Sequence, residues 1–354
     1  MRLPTLNAIA ATICLTVLAC ACSSEATDRG AKEQAVGGTG DTGAAGTSTT
    51  GDGGSSETGT NAGAASETAS NAGAAGTAGQ SANNAGTGAT LAGSGGGAGV
   101  KATSCKRGVA YGQHSIPDLK ALSPGVSWWY NWDFRPDKDL RAGAYLEAGV
   151  EYVPMIWGAA SDRGAAKTAI GDDATALLGF NEPNFGAQAN LSAKAAAALW
   201  PELTAIADAK GLRLVSPAVN FCGGSCQDKD PFHYLDEFFA ACSGCRVDAV
   251  AIHIYVGCKA EWLIQHVETY KSRFSQPLWL TEFACDSAKN SAEQQAFLED
   301  AVAYLEAEPR IERYAWFSGR ASNVANVDLL GESGQLTTLG QAYVNAPHNS
   351  DCTR

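Results

Sequence analysis

Two acidic residues stand out by their surroundings. Glu182 sits in "GFNEPN" (residues 179–184), directly after the apolar run Ala176, Leu177, Leu178, and Glu282 sits in "WLTEFAC", inside a second apolar run. A carboxylate at the end of a buried strand is costly unless it is paired or used. The two are 100 positions apart (282 − 182), so only tertiary structure can join them. Two carboxylates flanking one sugar–sugar bond are the minimum for glycoside hydrolysis, one giving a proton while the other works ionised. Asn181, just before Glu182, suits a sugar 2-hydroxyl, and Pro183 fixes the turn that follows. A single glutamate at a strand end is more often an ion-pair partner or a helix cap than a catalyst. The pairing, together with its neighbours, favours catalysis.

Aromatic residues extend the case. Trp128, Trp129, Tyr130 and Trp132 cluster in "WWYNW", Trp157 ends "VPMIWG", Tyr255 ends "IHIY" and Trp316 lies in "RYAWF". Aromatic faces suit the C–H faces of pyranose rings. Side chains alternate along a strand, so Trp128 and Trp129 cannot both face a substrate; Trp129, Trp157 and Trp316 are taken as sugar-facing and Trp279 as core. His253 and Tyr255 share one face of a strand, where Tyr255 can donate to Glu282 and His253 can orient an acid or a hydroxyl. A core histidine satisfied by backbone explains His253 as well. The five histidines show no metal-ligand spacing, so neither metal nor cofactor is expected.

These residues need a scaffold. Between residues 104 and 354, eight β-rich runs follow one another: 107–112, 126–132, 151–158, 175–183, 212–220, 247–255, 277–285 and 312–319. Helical patterns separate most of them, the clearest at 137–149, 190–211 (with a kink expected at Pro201), 259–273 and 291–308. Near-continuous apolar strands alternating with helices indicate a parallel sheet with covered faces. Eight repeats in about 250 residues predict a compact (β/α)₈ TIM barrel of the α/β class, whose strand C-termini carry the site. An open doubly wound sheet is the alternative, and no Gly-rich phosphate loop supports it.

The remainder of the chain reads as export machinery. Arg2, an apolar core from Leu6 to Leu18 and "TVLACACSS" resemble a lipoprotein signal with Cys20 as the lipidated residue; plain secretion with cleavage near Ala21 is the alternative. Residues 1–22 are thus assigned to the signal and 23–103 to a linker. The linker is Gly, Ala, Ser, Thr and Asn with scattered acids, and no Phe, Trp or Tyr precedes Tyr111. It cannot bury enough apolar surface to offset chain entropy. As a disordered tether it reaches roughly 50 Å. The formal net charge of −12, with no basic run, excludes a nucleic-acid partner. No apolar stretch long enough to span a bilayer lies beyond the N-terminus. The eight cysteines Cys105, Cys222, Cys226, Cys242, Cys245, Cys258, Cys285 and Cys352 fit up to four disulfides in an oxidising compartment. Cys258 and Cys285 follow adjacent strands and could staple the loops beside Glu282, and Cys105 and Cys352 lie at the two ends of the domain; Cys222, Cys226, Cys242 and Cys245 close local loops or cross-pair, and spacing alone does not fix the pairing.

Taken in order, "WWYNW", "VPMIWG", "LGFNEPN", "SPAV", "IHIY", "WLTEFAC" and "RYAWF" resemble glycoside hydrolase family 128, the alkali-sensitive-linkage type of glycosyl hydrolase catalytic core. The likeness covers about residues 105–345. It implies a retaining endo-β-1,3-glucanase with Glu182 as acid/base and Glu282 as nucleophile, and Asn181, Tyr255 and Trp316 around the cleaved bond. The long tether, the cysteine-rich stretch near 222–245 and the His-Ile-Tyr of strand six depart from the family. Glucan subtype and endo or exo mode therefore stay open. Beside this stand a non-catalytic carbohydrate-binding barrel and a retaining glycosidase for another polysaccharide. In each case the partner is a polysaccharide, the chain acts as a monomer, and the membrane is touched only through the anchor.

Overall fold

The described residues of this computed structural model are 104–111, 114–321 and 323–348. Cys20, the linker and Cys352 lie outside them. Eight short strands alternate with helices: β1 (Arg107–Ala110), β2 (Trp128–Tyr130), β3 (Glu151–Tyr152), β4 (Ala176–Leu178), β5 (Arg213–Val215), β6 (Val250–Val256), β7 (Leu278–Cys285) and β8 (Ile311–Phe317). Six fall inside the apolar runs read from the sequence; β6 ends one residue beyond its run (247–255) and β8 starts one residue before its run (312–319). All ladders are parallel. Six strands form one sheet in the order β3-β2-β1-β8-β7-β6, and β4 pairs with β5. Isolated parallel bridges join Met155 to Leu178 and Val215 to Ala249, which are contacts between the β3 and β4 segments and between β5 and β6.

The helices are α1 (Ile116–Leu122), α2 (Arg163–Ala169), α3 (Ala193–Lys210), α4 (Pro231–Ala241), α5 (Ala260–Arg273), α6 (Ser291–Ala307) and α7 (Thr338–Asn345). Short polar side chains start most of them. Ser115, Asp162, Ser192, Asp230, Asn290 and Thr337 each accept a backbone N–H of the first turn. The stretch Lys138–Ala148 winds as a 3-10 helix. Gly143, at φ 81°, interrupts regular α geometry there. The kink expected at Pro201 does not break α3, which continues through it to Lys210.

Register divides the side chains. Val109, Trp129 and Trp316 are direct partners across β1, β2 and β8 and share the helix-covered face. There Trp316 packs on Phe297 of α6 and Tyr343 of α7. On the opposite face lie Trp128 and Trp279, with the Arg313 guanidinium 5.5 and 4.6 Å from their ring centroids. On that face Arg313 pairs with Glu151 of β3 at 2.7 Å, and Glu312 of β8 pairs with Arg213 of β5.

Disulfides join Cys222 to Cys226, Cys242 to Cys245 and Cys258 to Cys285, and Cys105 is also disulfide-bonded. The four cysteines of the 222–245 stretch thus close local loops. The Cys258–Cys285 bridge ties the ends of β6 and β7 across a separation of 27 residues. A loop of that length restrains the unfolded chain by about 3–4 kcal/mol. The double variant Cys258→Ser/Cys285→Ser should therefore lose about that much stability in urea unfolding. A loss below about 1 kcal/mol would show that the bridge does not brace these strands.

Candidate active site

Glu182 follows β4 and has φ 38°, a left-handed conformation rarely adopted by a glutamate. Neighbouring backbone holds it there. Asn181 N–H donates to Trp157 O, and Phe185 N–H donates to Glu182 O, both at 2.9 Å. Asn184, wholly buried, donates from Nδ2 to Asn220 O at 2.7 Å and to Asp228 O at 3.2 Å. The loop after the acid is further strapped to the disulfide-closed loop by Gly186 N–H to Ser225 O and Gln227 N–H to Asn184 O, each 2.7 Å. A side chain at position 179 would run into Trp200 and the backbone of Ser216, so glycine is required where β4 passes them.

Glu282 reaches the same place by a different irregularity. Trp279 and Glu282 both point to the face opposite the helices, although they are three residues apart and a regular strand would send them to opposite sides. The β6–β7 ladder pairs Ile252 with Leu280 and then His253 with Glu282, so Thr281 is the extra residue of a bulge. That bulge turns Glu282 toward the site and Phe283 toward Trp316.

The two acids meet at His253. Its Nδ1 lies 3.0 Å from Glu182 Oε1 and 3.4 Å from Glu282 Oε2. One ligand atom from each of the three residues falls within 4.8 Å of the others. Glu282 accepts from Tyr130 Oη (2.9 Å) and Trp132 Nε1 (2.8 Å) on Oε1, and from Tyr255 Oη (2.6 Å) on Oε2. All three residues of the cluster are buried, none more than 5% exposed. Burial pushes the Glu282 carboxyl above its usual range. His253 and the donors from Tyr255 and Trp132 oppose that rise, while the charge of Glu182 adds to it. Burial opposes charging of the His253 ring, but Glu282 and Glu182 outweigh it and hold the imidazole above its ordinary value. Burial first, then Glu282, keeps the Tyr130 hydroxyl protonated as a donor.

The expected site residues divide into two groups. Glu182, Glu282, His253 and Tyr255 converge. Asn181 is buried beside Glu182, with Nδ2 donating to Gln188 Oε1 at 3.3 Å and Oδ1 without a protein partner. Trp157 is half-buried at the end of the β3 segment. Trp129 and Trp316 are corrections. Both are wholly buried on the helix side, Trp129 against Tyr152 and Trp316 with Nε1 donating to Val327 O. Strand alternation puts their neighbours at the site instead: Tyr130 donates to Glu282, and Phe317 packs on Tyr255 and Trp132 at 5.6 and 6.1 Å. Tyr130, Trp132, Asn184 and Phe317 were absent from the residues expected at the site. Alternation from Glu282 and Tyr255 could have found Phe317; nothing in the sequence marks the φ of 62° that aims Trp132. The histidine spacing concealed a ligand set because its members come from three separate segments, the turn after β4 and strands β6 and β7.

The profile described as glycosyl hydrolase catalytic core matches residues 108–343. An endo-β-1,3-glucanase of glycoside hydrolase family 128, subgroup II, from Sorangium cellulosum is 64% identical, with TM-score 0.68 over 69% of this chain and 99% of that one. This chain belongs to glycoside hydrolase family 128. A second subgroup II endo-β-1,3-glucanase, from Pseudomonas viridiflava, is 37% identical, with TM-score 0.64 over 70% of this chain and 100% of that one. Alkali-sensitive linkage protein 1 of Schizosaccharomyces pombe is 30% identical over 265 residues, which is 69% of this chain. The family 128 chain spans 45% of the length of that curated relative.

Asn184 generates a prediction. Replacing it by alanine leaves the carbonyls of Asn220 and Asp228 without their donor in a buried site, a loss of about 1–3 kcal/mol. Asn184→Ala should lose that much in urea unfolding and turn over more slowly than the parent. Unchanged stability would mean that this side chain does not anchor the loop after Glu182.

Proposed function

We propose that this glycoside hydrolase cleaves β-1,3-glucan with retention, Glu282 attacking the anomeric carbon and Glu182 serving as acid and then base. The observation that carries the reading is the convergence of two buried carboxylates on one imidazole, with oxygens within 4.8 Å. Retaining enzymes hold their carboxyl groups about 5–5.5 Å apart, against about 6.5–9.5 Å where a water must fit between for inversion. The two roles follow from the donors. Glu282 has three neutral donors, from Tyr130, Trp132 and Tyr255, which favour its ionised form. Among the described residues, Glu182 has none of these and pairs with His253. In the first step Glu282 forms a bond to the anomeric carbon as the leaving oxygen takes the Glu182 proton. In the second, Glu182 takes a proton from water, whose oxygen displaces Glu282. Asn181 Oδ1 is available for a sugar 2-hydroxyl, and Phe317, Trp132 and Trp157 offer ring faces.

The scaffold we propose is a closed (β/α)₈ barrel over residues 104–354. The β3–β4 and β5–β6 bridges support closure, as do the ion pairs that join β8 to β5 and to β3 on one face. The disulfides support an exported protein. With the signal in 1–22, lipidation at Cys20 and the linker 23–103, the enzyme would work as a monomer tethered at a membrane surface.

Glu282→Gln should abolish hydrolysis of laminarin, with product sizing as the readout; near-normal turnover would end this reading. Glu182→Gln should slow laminarin far more than an aryl β-laminaribioside whose leaving group needs no proton, and equal loss on both would remove Glu182 from the acid role. Because Glu282 is held above the usual carboxyl range, the acid limb of kcat/KM should lie above about pH 4.3. Tyr255→Phe removes a donor that favours the ionised form, so the limb should move to higher pH. A limb that stays put or moves down would contradict the role of Tyr255.

A further inference from the structure

Among the described residues, His253 is the ion-pair partner of both acids, and no lysine or arginine pairs with either. The remaining donors to Glu282 are the neutral groups of Tyr130, Trp132 and Tyr255. A buried cluster of two carboxylates and one imidazole is left with no fixed positive charge against it. We propose that Glu182, His253 and Glu282 together bind a zinc-class divalent cation, which blocks the site reversibly. The blocking rests on the reading of these acids as catalytic; the binding does not.

The geometry is close to that of a coordinated ion. Zinc with bonds of about 2.0–2.2 Å in a tetrahedral site holds its ligands about 3.3–3.5 Å apart. His253 Nδ1 stands 3.0 Å from one carboxylate oxygen and 3.4 Å from the other, and the three ligand atoms lie within 4.8 Å of one another. The third edge, between the two carboxylates, must come to the same length for one ion to be held by all three. The fourth position is left for water. Imidazole with carboxylates suits zinc, and also copper and nickel. Magnesium and calcium need six or more oxygens, which this cluster lacks.

The Tyr255 donor to Glu282 Oε2 would orient that ligand from outside the metal shell. His253 Nε2 has no hydrogen-bond partner, and that absence weakens a histidine ligand roughly 10–100-fold. The site is therefore one of moderate, reversible affinity. Carboxylate and neutral imidazole are the forms that coordinate, so the cation competes with protons for this site. With the ion bound, Glu282 has no free lone pair aimed at a sugar and Glu182 has no proton to give.

A second trio, Asp228, His233 and Glu237, has similar spacing but is largely exposed. It must be removed before the buried site is read, so the experiment starts from metal-free His233→Ala protein with its disulfides intact. Calorimetry should give one zinc ion per chain. Cobalt should give the intense visible absorption of a four-coordinate site, unaffected by excess magnesium. Adding either His253→Phe or Glu282→Gln should weaken binding at least roughly tenfold, with both variants first checked by thermal unfolding without metal. Laminarin hydrolysis by the His233→Ala protein should fall at least roughly tenfold with zinc and return with a chelator. Zinc binding that survives both second substitutions, that disappears with His233→Ala, or that gives only the weak cobalt spectrum of an octahedral surface site overturns the proposal. A protein that binds one four-coordinate ion through His253 yet hydrolyses no glucan when metal-free would support the cation site and overturn the glucanase reading.

Discussion

Two like-charged groups held within hydrogen-bonding reach of one buried imidazole are the constraint around which this molecule is arranged. Left alone in an apolar interior, Glu182 and Glu282 would repel each other and each would resist ionisation. Nδ1 of His253 lies between them at 3.0 and 3.4 Å, and three neutral donors close around Glu282. The cluster thus divides into one carboxylate that is richly solvated by protein and one that is not. The proposed division of roles between two chemically identical side chains rests on that asymmetry.

Departures from regular geometry accumulate at this point. Glu182 and Trp132 both have left-handed backbone, at 38° and 62°, and each costs on the order of 1–3 kcal/mol unless its surroundings enforce it. The bulge at Thr281 gives up ladder regularity to aim Glu282. The straps from Asn184, Gly186 and Gln227 to the neighbouring loop supply the enforcement on the Glu182 side. On the other side, the Cys258–Cys285 bridge fixes the strand ends that carry Tyr255 and Glu282.

The elements were legible in the sequence because their signals are local. Eight apolar runs gave eight strands in order, and "NEPN" and "TEFAC" located the acids through the cost of burying charge. The facing of side chains was less accessible. Trp316 and Trp129 attract attention as large aromatics, yet one step along the strand puts Phe317 and Tyr130 at the site. Counting by twos from Trp279 would even have turned Glu282 away, since the bulge is a property of the paired ladder and leaves no mark in "WLTEFAC". Trp132 depends on a backbone angle that its residue type disfavours. His253 read as an ambiguous core histidine because its partners are remote in sequence.

The layer made by Trp128, Trp279 and the guanidinium of Arg313 has a consequence for how the acids can be reached. It lies one step toward the strand starts from Tyr130 and Glu282, all on the same face, and Trp128 and Trp279 are sealed from solvent. Glu282 and the residues level with it therefore stand on a filled layer of side chains. A molecule that meets Glu182 and Glu282 must therefore come and go on the side of the strand ends, because the layer beneath them is filled.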